Sequence, residues 1–271
     1  LNELEKLNGK QLSYNNYHDI YSGLDIINSL PKGVGTTIIK HANPSGVSID
    51  KNQCSSFKQA FDCDPISAFG GVIICNYKIK SETAKDIWNK FFEVIVAKDF
   101  DAKALSILKK KKNLRIIKNN QKHDSNQIVL NTLSNNFILQ NSDNQNFNKN
   151  MFKVVSKKKP NKKLFDDLIF AFNVCRFVKS NAIVLTNNNS TVGIGSGQPS
   201  RLDSCEIAVN KMKKFNHNTE NLVAASDAFF PFVDGIEVLV QSGVKAIIQP
   251  YGSIRDKEII KFANNTNTVL V

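Results

Sequence analysis

Residues 71–97 carry the pattern that decides the fold, GVIICNYKIKSETAKDIWNKFFEVIVA. Two short runs rich in β-branched residues, Gly71–Cys75 and Glu93–Ala97, flank the stretch Glu82–Phe91, whose apolar residues recur at helical spacing. A strand, a helix and a second strand in this order are typical of a sheet covered by helices. The pattern therefore predicts an α/β protein.

The same alternation continues on both sides of this stretch. The further predicted strands are Thr36–Lys40, Leu114–Lys118, Ala182–Leu185, Thr191–Gly195, Leu222–Ser226, Lys245–Gln249 and Thr268–Val271. The further predicted helices are Cys54–Phe61, Ala102–Lys111, Lys163–Phe177, Leu202–Lys214, Gly235–Ser242 and Asp256–Ala263. The polar segment from Asn119 to Lys163 is predicted to connect two similar lobes. We place these lobes at residues 1–145 and 146–271.

Composition bounds the class of protein. With 41% hydrophobic and 22% charged residues, the chain has enough apolar side chains for a sizeable core. It shows neither a run of roughly 20 apolar residues nor a secretory pattern, so we expect a cytoplasmic protein. The five cysteines form no Cys-x-x-Cys pair, which predicts reduced thiols rather than metal ligands. The net charge of +12 comes mostly from dispersed lysines, which favours solvated charge over a nucleic-acid site.

A lysine and a histidine end the predicted strand Thr36–Lys40, in the segment Lys40-His41-Ala42-Asn43-Pro44. Ligands bind at strand ends in open α/β sheets. A histidine can accept a proton near neutral pH, and a neighbouring ammonium can stabilise a developing oxyanion, so the pair suits acyl transfer to an amine. Because a lone histidine is also frequent as a structural residue, this segment by itself leaves both interpretations open.

Four further turns could face a ligand, namely Asp64–Gly71, Gly193–Arg201, Ser226–Gly235 and Pro250–Asp256. The second is similar to a phosphate-binding turn, but it matches neither the dinucleotide nor the P-loop fingerprint. The third places three phenylalanines between two aspartates, which fits either a buried aromatic cluster or a wall for a flat heterocycle. The spacing of residues in these four segments does not by itself decide whether a segment has a structural role or binds a ligand.

Taken in order, these segments closely resemble the transformylase domain of the AICAR transformylase/IMP cyclohydrolase family, where AICAR is aminoimidazole carboxamide ribonucleotide. The resemblance is carried by Leu12–Asn16, Lys40–Pro44, Asp64–Gly71, Phe177–Ala182, Gly193–Arg201, Ser226–Phe232 and Gly252–Asp256. It implies two tandem cytidine-deaminase-like lobes and a homodimer with active sites at its interface. It also implies 10-formyltetrahydrofolate as formyl donor, without a catalytic metal.

The resemblance further implies roles for individual residues. His41 would accept a proton, and Lys40 would stabilise the transition state. The residues implied to hold the ribonucleotide are Gly70, Glu93, Asn181, Arg201 and Phe229. The residues implied to face the folate are Leu202, Asp234, Ser253 and Ile254. Val233 and Tyr251 depart from the arginine and the small residue usual at these positions, which leaves the local folate contacts open.

Some parts of the family pattern are not among these residues. The resemblance leads us to expect an Arg-Tyr-Gly-x-Asn-Pro-His-Gln segment before Leu1 and an arginine- and histidine-containing tail after Val271. The cyclohydrolase domain would also precede Leu1. We therefore expect the sequence to be part of a longer protein and, expressed alone, to show little or no transformylase activity.

Two other functions are alternatives from the sequence. A zinc deaminase needs a His-x-Glu segment and a Pro-Cys-x-x-Cys segment. The similar stretch here is His41-Ala42-Asn43, in which asparagine cannot act as the general acid, and the sequence has no Cys-x-x-Cys pair. We expect no stoichiometric zinc, and elemental analysis would check this. A basic nucleic-acid-binding module would bind polyanions with a steep salt dependence, which titration at two salt concentrations would reveal.

Overall fold

The computed structural model describes residues 3–31, 33–120, 128–143, 145, 147 and 149–271. The elements up to residue 119 are β1 (Leu4–Asn8), α1 (Tyr14–Ser29), β2 (Val34–Lys40), β3 (Asn43–Asp50), α2 (Gln53–Asp62), α3 (Pro65–Ala68), β4 (Val72–Ile79), α4 (Ser81–Trp88), β5 (Val94–Phe100), α5 (Ala102–Lys109) and β6 (Arg115–Asn119). A hairpin of β7 (Ile128–Leu133) and β8 (Asn136–Asn141) follows. The later elements are α6 (Lys162–Cys175), β9 (Ile183–Thr186), β10 (Thr191–Gly195), α7 (Arg201–Lys214), β11 (Val223–Ser226), α8 (Asp234–Gln241), β12 (Ala246–Ile248), α9 (Asp256–Asn265) and β13 (Val269–Leu270).

Two larger sheets each combine parallel and antiparallel strands. The first has the order β1-β6-β5-β4-β2-β3, in which β4, β5 and β6 run parallel. The second has the order β10-β9-β11-β12-β13, in which β11, β12 and β13 run parallel. Helices connect the parallel strands, so the predicted α/β class is confirmed. The finer division into lobes at residues 145 and 146 stays a prediction, and residue 146 lies outside the described residues.

Successive strand residues face different cores, because side chains alternate across a strand. In the first sheet, Ile73 belongs to an outer core, whereas Ile74 belongs to a central core. The central core also receives Ile20 of α1, Phe170 of α6 and Val223 of the second sheet. The two sheets therefore share one apolar interior. Within the described part of the chain, no helix has the length and apolar character needed to cross a bilayer.

Strand β10 and helix α7 approach so closely that only glycine fits between them. A Cβ atom added to Gly195 would lie 1.9 Å from the carbonyl oxygen of Ser204, and one added to Gly193 would lie 2.2 Å from that of Ala208. Real Cβ atoms do not come this near to a backbone oxygen. Gly193 and Gly195 of the predicted Gly193–Arg201 turn therefore serve the packing of strand on helix.

We expect Gly195→Ala to lower the free energy of unfolding by about 3 kcal/mol, because the strand or the helix must shift. Urea denaturation would measure the loss. Gly197→Ala is the matched control, since its Cβ would meet no atom nearer than 3.9 Å, although its φ of +69° favours glycine. We expect that control to lose about 1 kcal/mol. Equal losses in the two variants would contradict the close approach as the cause.

The edge strands β3 and β10 join the two sheets. Ser48 and Ser190 form an antiparallel bridge with their Oγ atoms 2.6 Å apart, and the N–H of Ile49 donates to the carbonyl of Asn189 at 3.0 Å. Unpaired sheet edges expose hydrogen-bonding groups to solvent. This contact covers part of one edge of each sheet. It also places the β2–β3 turn beside the second sheet.

Asp167 of α6 holds the β9–β10 turn. Its carboxylate accepts hydrogen bonds from Thr186 Oγ1 and from the N–H groups of Asn188 and Asn189, each at 2.9 Å. Burial raises the pKa of Asp167 to about 6, although these hydrogen bonds favour the charged form. The folded protein therefore binds a proton here more tightly than an ordinary aspartate does.

This pKa predicts a pH dependence of stability. Between the ordinary value of 3.8 and about 6 the folded state holds more protons than the unfolded state, so the free energy of unfolding should fall as the pH rises through this range. The full loss corresponds to roughly 3 kcal/mol. Urea denaturation of the parent and of Asp167→Asn would measure it. A difference between the two proteins that does not change between about pH 4 and 7 would contradict the prediction.

Several elements differ from the sequence-based expectation. The predicted helices Glu82–Phe91 and Lys163–Phe177 end earlier, at Trp88 and Cys175. Strands β1 and β3 and helix α1 were not predicted, and the segment Asp64–Gly71, interpreted as a turn, contains the short helix α3. Part of the predicted connection forms the β7–β8 hairpin, and its residues 121–127 lie outside the described residues. The hairpin forms because two short apolar runs flank a turn that contains the left-handed residue Ser134.

Candidate active site

The lysine and histidine predicted to be catalytic lie on the tight turn between β2 and β3. Lys40 ends β2 and pairs with Asn43 at the start of β3, so His41 and Ala42 are the two turn residues. Their φ angles are 54° and 59°, the left-handed values that a type I′ turn needs and that asparagine and glycine usually supply. Each such residue other than glycine costs about 1–2 kcal/mol. Surrounding contacts must therefore hold this turn.

Two side chains supply such contacts from opposite sides. Asp19 of α1 accepts a hydrogen bond from the N–H of Ala42 at 2.6 Å. Asn43 accepts from the N–H of Lys179 at 3.3 Å and donates to the carbonyl of His41 at 3.3 Å. Asp19 was not predicted from the sequence, and Asn43 was predicted only as part of the Lys40–Pro44 motif. The turn is thus anchored to both halves of the chain, while the His41 side chain is exposed.

Lys40 connects the turn to Gly70. Its Nζ donates to the carbonyl of Phe69 at 2.8 Å, and an ammonium has three donors, so this bond fixes Lys40 without using all of them. Gly70 has a φ of 74°, and its N–H donates to the carbonyl of Phe91 at 2.9 Å. Its backbone conformation explains the glycine. Lys40, predicted to stabilise the transition state, and Gly70, predicted to hold the nucleotide, are therefore neighbours.

Glu93 lies at the same edge of the first sheet. Its Oε2 accepts from the side-chain amide of Asn16 at 3.2 Å and lies 3.8 Å from the guanidinium of Arg115. Asn16 also forms a capping box with Ser13 at the start of α1. With 45% of its side chain exposed, Glu93 retains access to a ligand. This edge holds the amino ends of β4 and β5, because β2 runs antiparallel to β4.

A cavity of about 410 Å³ opens beside the turn and is lined by both halves of the chain. Its walls include Lys40, His41 and Ser67 from the first half and Ser196 and Lys211 from the second. A larger, mainly apolar cavity of about 660 Å³ lies elsewhere and is lined by neither Lys40 nor His41. The smaller cavity therefore combines charged and hydroxyl side chains with apolar ones such as Ile194.

Asp64 and Lys211 form an ion pair across the same region, with Lys211 Nζ 2.9 Å from Asp64 Oδ2. Burial would raise the pKa of Asp64, but hydrogen bonds from Ser67 and the ammonium of Lys211 outweigh this effect and lower it. The carboxylate is therefore charged near neutral pH. It holds α7 of the second half against the Asp64–Gly71 turn of the first.

Arg201 and Asn181 form a second cluster. The guanidinium donates to Asn181 Oδ1 at 2.6 Å, to Asp227 Oδ1 at 2.5 Å and to Ser226 Oγ at 2.8 Å. The amide of Asn181 donates to the carbonyls of Gln198 and Pro199. Only 9% of the Arg201 side chain is exposed. The structure thus brings both predicted residues together, but it directs many of their hydrogen-bonding groups at the chain itself.

Asp227 is the residue that sequence reasoning did not connect to Arg201. Burial raises the pKa of Asp227, but hydrogen bonds from Ser180 and Arg201 and the N–H of Ala182 outweigh it and lower the pKa below its ordinary value. A charged Asp227 therefore compensates the buried guanidinium. The charge of Asp227 and its position after a predicted strand were the only signals in the sequence.

A short segment, residues 179–181, joins the two clusters. The N–H of Lys179 donates to Asn43, and its carbonyl accepts from the N–H of Gly197 at 2.7 Å. The N–H of Asn181 donates to the carbonyl of Gln198 at 3.1 Å. The turn that carries His41 and the cluster around Arg201 are therefore fixed to the same stretch of backbone.

The remaining predicted residues lie at one edge of the second sheet, at helix starts and after strands. Phe229 follows β11 and is 40% exposed, Leu202 and Asp234 lie at the starts of α7 and α8, and Ser253 and Ile254 follow β12. Ile254 is fully exposed. Carboxyl ends of parallel strands are common ligand sites, which agrees with this placement. None of these five residues lines the cavity beside His41, and neither do the predicted nucleotide contacts Gly70, Glu93, Asn181 and Arg201.

Comparisons with known proteins fit these observations. The chain matches the model of the family described as AICARFT/IMPCHase bienzyme over residues 1–211. It is 39% identical to the bifunctional purine biosynthesis protein PurH of Aquifex aeolicus over 100% of the chain and 53% of that protein. The identity is 43% to the protein of the same name from Buchnera aphidicola, over 99% of the chain and 51% of that protein. For Neisseria meningitidis it is 40%, over 100% and 52%.

The chain spans about half the length of the curated relatives it matches. The family match covers most of the chain, including the turn that carries His41 and the residues Asn181 and Arg201. On this match, the chain belongs to the AICARFT/IMPCHase bienzyme family.

Proposed function

We propose that the chain is a phosphoribosylaminoimidazolecarboxamide formyltransferase. It would transfer the formyl group of 10-formyltetrahydrofolate to the 5-amino group of AICAR and give FAICAR, a step of purine synthesis. The observation that carries this proposal is the exposed His41 on an anchored turn next to Lys40, beside a cavity that Ser67 and Lys211 help to line, in a chain of this family.

The chemistry of the reaction explains the two residues. The amine of AICAR is conjugated with its ring and carboxamide, so it is a poor nucleophile whose proton must leave as the new C–N bond forms. His41 accepts this proton, a contribution of roughly 10² to 10⁴ in rate. The formyl oxygen meanwhile gains negative charge, and a positioned donor such as Lys40 is worth about 3–4 kcal/mol there. The bond from the formyl carbon to the folate nitrogen then breaks, and that nitrogen regains a proton.

The substrate contacts are also part of the proposal. We assign Gly70, Glu93, Asn181, Arg201 and Phe229 to the nucleotide and Leu202, Asp234, Ser253 and Ile254 to the folate. The half-exposed carboxylate of Glu93 supports its role, since it can accept hydrogen bonds from hydroxyl groups. The partly exposed ring of Phe229 can stack on a flat heterocycle. Asn181 and Arg201 are supported by their position at the same edge as Phe229.

The enzyme assay compares the chain alone with a chimaera that carries, at both ends, the flanking segments of the Aquifex aeolicus relative. We expect formyl transfer to AICAR by the chimaera and little or none by the chain alone. Transfer by neither protein would contradict the proposed function. Equal rates would show that the flanking segments are dispensable. Displacement of a bound polyanion by salt but not by AICAR would favour the nucleic-acid alternative.

We further propose that the two lobes are cytidine-deaminase-like and that the protein is a homodimer. The β7–β8 hairpin supports the dimer. Its large apolar residues are more than half exposed, and they are Ile128, Leu130, Leu133, Phe137, Ile138 and Leu139. An isolated two-stranded hairpin is at best marginally stable in water. A second copy of the chain would cover it.

One face of the hairpin is the more apolar. Leu130 pairs directly with Leu139, and Ile128 and Phe137 lie on the same face. We expect the double variant Leu130→Lys/Leu139→Lys to raise the dissociation constant of the dimer about tenfold or more, since each buried leucine contributes about 2 kcal/mol. Sedimentation over a range of concentrations would measure it. Gln140→Lys, on the opposite face, is the control and should dimerise normally. A monomeric parent would contradict the dimer.

A further inference from the structure

We propose that Asp19 is a positioning residue for the formyl transfer, because its carboxylate holds the turn that presents His41. The observation is the hydrogen bond of 2.6 Å from the N–H of Ala42 to Asp19 Oδ1. The inference rests on the proposed function, and nothing in the family match assigns this role. Asp19 itself does not need to touch either substrate.

The turn needs a device of this kind because of its sequence. His41 and Ala42 both have left-handed backbones, and alanine is not among the residues, such as asparagine, aspartate and histidine, that are enriched there. A change of sign in either φ angle would redirect the His41 side chain away from its present place beside Lys40. The N–H of Ala42 meets the Asp19 carboxylate in the observed turn, so the bond favours this conformation over the alternatives.

Asp19 can act in this way because α1 is itself fixed. Ile20, the next residue, is fully buried in the central core. Asn16 lies one turn earlier on the same face and binds Glu93, the proposed nucleotide contact. One face of α1 therefore sets the position of the catalytic turn through Asp19 and that of Glu93 through Asn16.

The positioning role predicts how kcat and KM change in variants, each made in whichever of the chain or the chimaera transfers the formyl group. Asp19→Ala should lower kcat about tenfold or more and change the KM for AICAR much less, since small misplacement of a reacting group is costly. Asp19→Asn keeps an oxygen acceptor and should stay within about threefold of the parent. Asp86→Ala removes an exposed carboxylate from α4 in the same half and should have no effect.

A second variant separates positioning from a direct effect of the Asp19 charge. Glycine adopts left-handed conformations without a steric cost, so Ala42→Gly should recover much of the kcat lost in Asp19→Ala. A carboxylate that acted by its charge would not be replaced by this change. Amide hydrogen exchange at Ala42, followed by NMR, gives a readout independent of activity. It should be faster in Asp19→Ala than in the parent.

The outcomes are distinct. Normal kcat in Asp19→Ala, or no recovery by either Asp19→Asn or Ala42→Gly, would overturn the positioning role alone. Unchanged exchange at Ala42 in Asp19→Ala would do the same. A parent without formyl transfer, alone and as the chimaera, would overturn the proposed function and this inference with it. The proposal is supported by a selective loss of kcat, recovery by both changes and faster exchange at Ala42.

Discussion

Replacing His41 with alanine is expected to lower kcat for formyl transfer at least about a hundredfold, while the affinity for AICAR changes far less. The reason is that proton removal from the amine matters chiefly in the transition state. Single-turnover kinetics and equilibrium binding of AICAR would separate the two effects. Lys40→Ala should behave similarly, although it also removes the hydrogen bond to the carbonyl of Phe69.

The matched control for this prediction is His18→Ala, which removes an exposed histidine from α1 without touching the turn. It should leave kcat near that of the parent. If His41→Ala and Lys40→Ala both kept near-normal turnover, the assignment of the catalytic pair would be wrong even with the family unchanged.

Asp227→Ala is expected to lower the free energy of unfolding by about 3–5 kcal/mol. Without this carboxylate, the guanidinium of Arg201 would be buried without a compensating charge. The same change should weaken AICAR binding, because Arg201 also holds Asn181. Urea denaturation would measure the stability, and Glu206→Ala, an exposed carboxylate on α7, is the control.

A double-mutant cycle would test the cause of this loss. The variant Arg201→Ala/Asp227→Ala should lose less than the sum of the two single variants, because the second change removes the unpaired charge that the first one leaves. A loss below about 1 kcal/mol in Asp227→Ala would show that the pair behaves like an exposed one.

The sequence predicted most strands, because a buried strand in a sheet with helices on both faces needs a continuous apolar run. Gly71–Cys75 and Glu93–Ala97 show such runs, and they form most of the buried parts of β4 and β5. Strand β3 was not predicted because Pro44 and Gly46 interrupt its pattern. The structure explains both residues. Strand β3 is an edge strand, which tolerates proline, and Gly46 lies against the carbonyl of Ala60.

Helix α1 was not predicted because polar residues separate its buried ones. Ile20, Leu24 and Ile27 face the core at helical spacing, but Asn16 is also buried there and breaks the apolar pattern. Its burial is possible because it binds Glu93 and caps the helix. The residue that weakens the helical pattern is thus one that the proposed site uses.

The candidate site could be predicted only where the family resemblance carried it. Lys40 and His41 are adjacent in the chain, but the contacts to Asp19 and from Arg201 to Asp227 join residues that are far apart in sequence. Such pairs depend on how helices pack on sheets, which local patterns do not determine. Arg201 illustrates the difference. Its contact with a substrate stays a prediction, whereas its hydrogen bonds to Ser226, Asp227 and Asn181 were not foreseen from the sequence.

The bridge between Ser48 and Ser190 has a consequence for how substrates enter. Enzymes built from two loosely linked halves often undergo domain closure around the substrate, and part of the binding free energy drives that motion. Here a hydrogen bond joins the edges of the two sheets and both sheets pack on one apolar core. A hinge motion of the two halves would have to break that bond and open the core. Substrates should therefore meet a frame that is already in its working arrangement, and adjustments on binding should be limited to side chains and loops such as the one that carries Phe229.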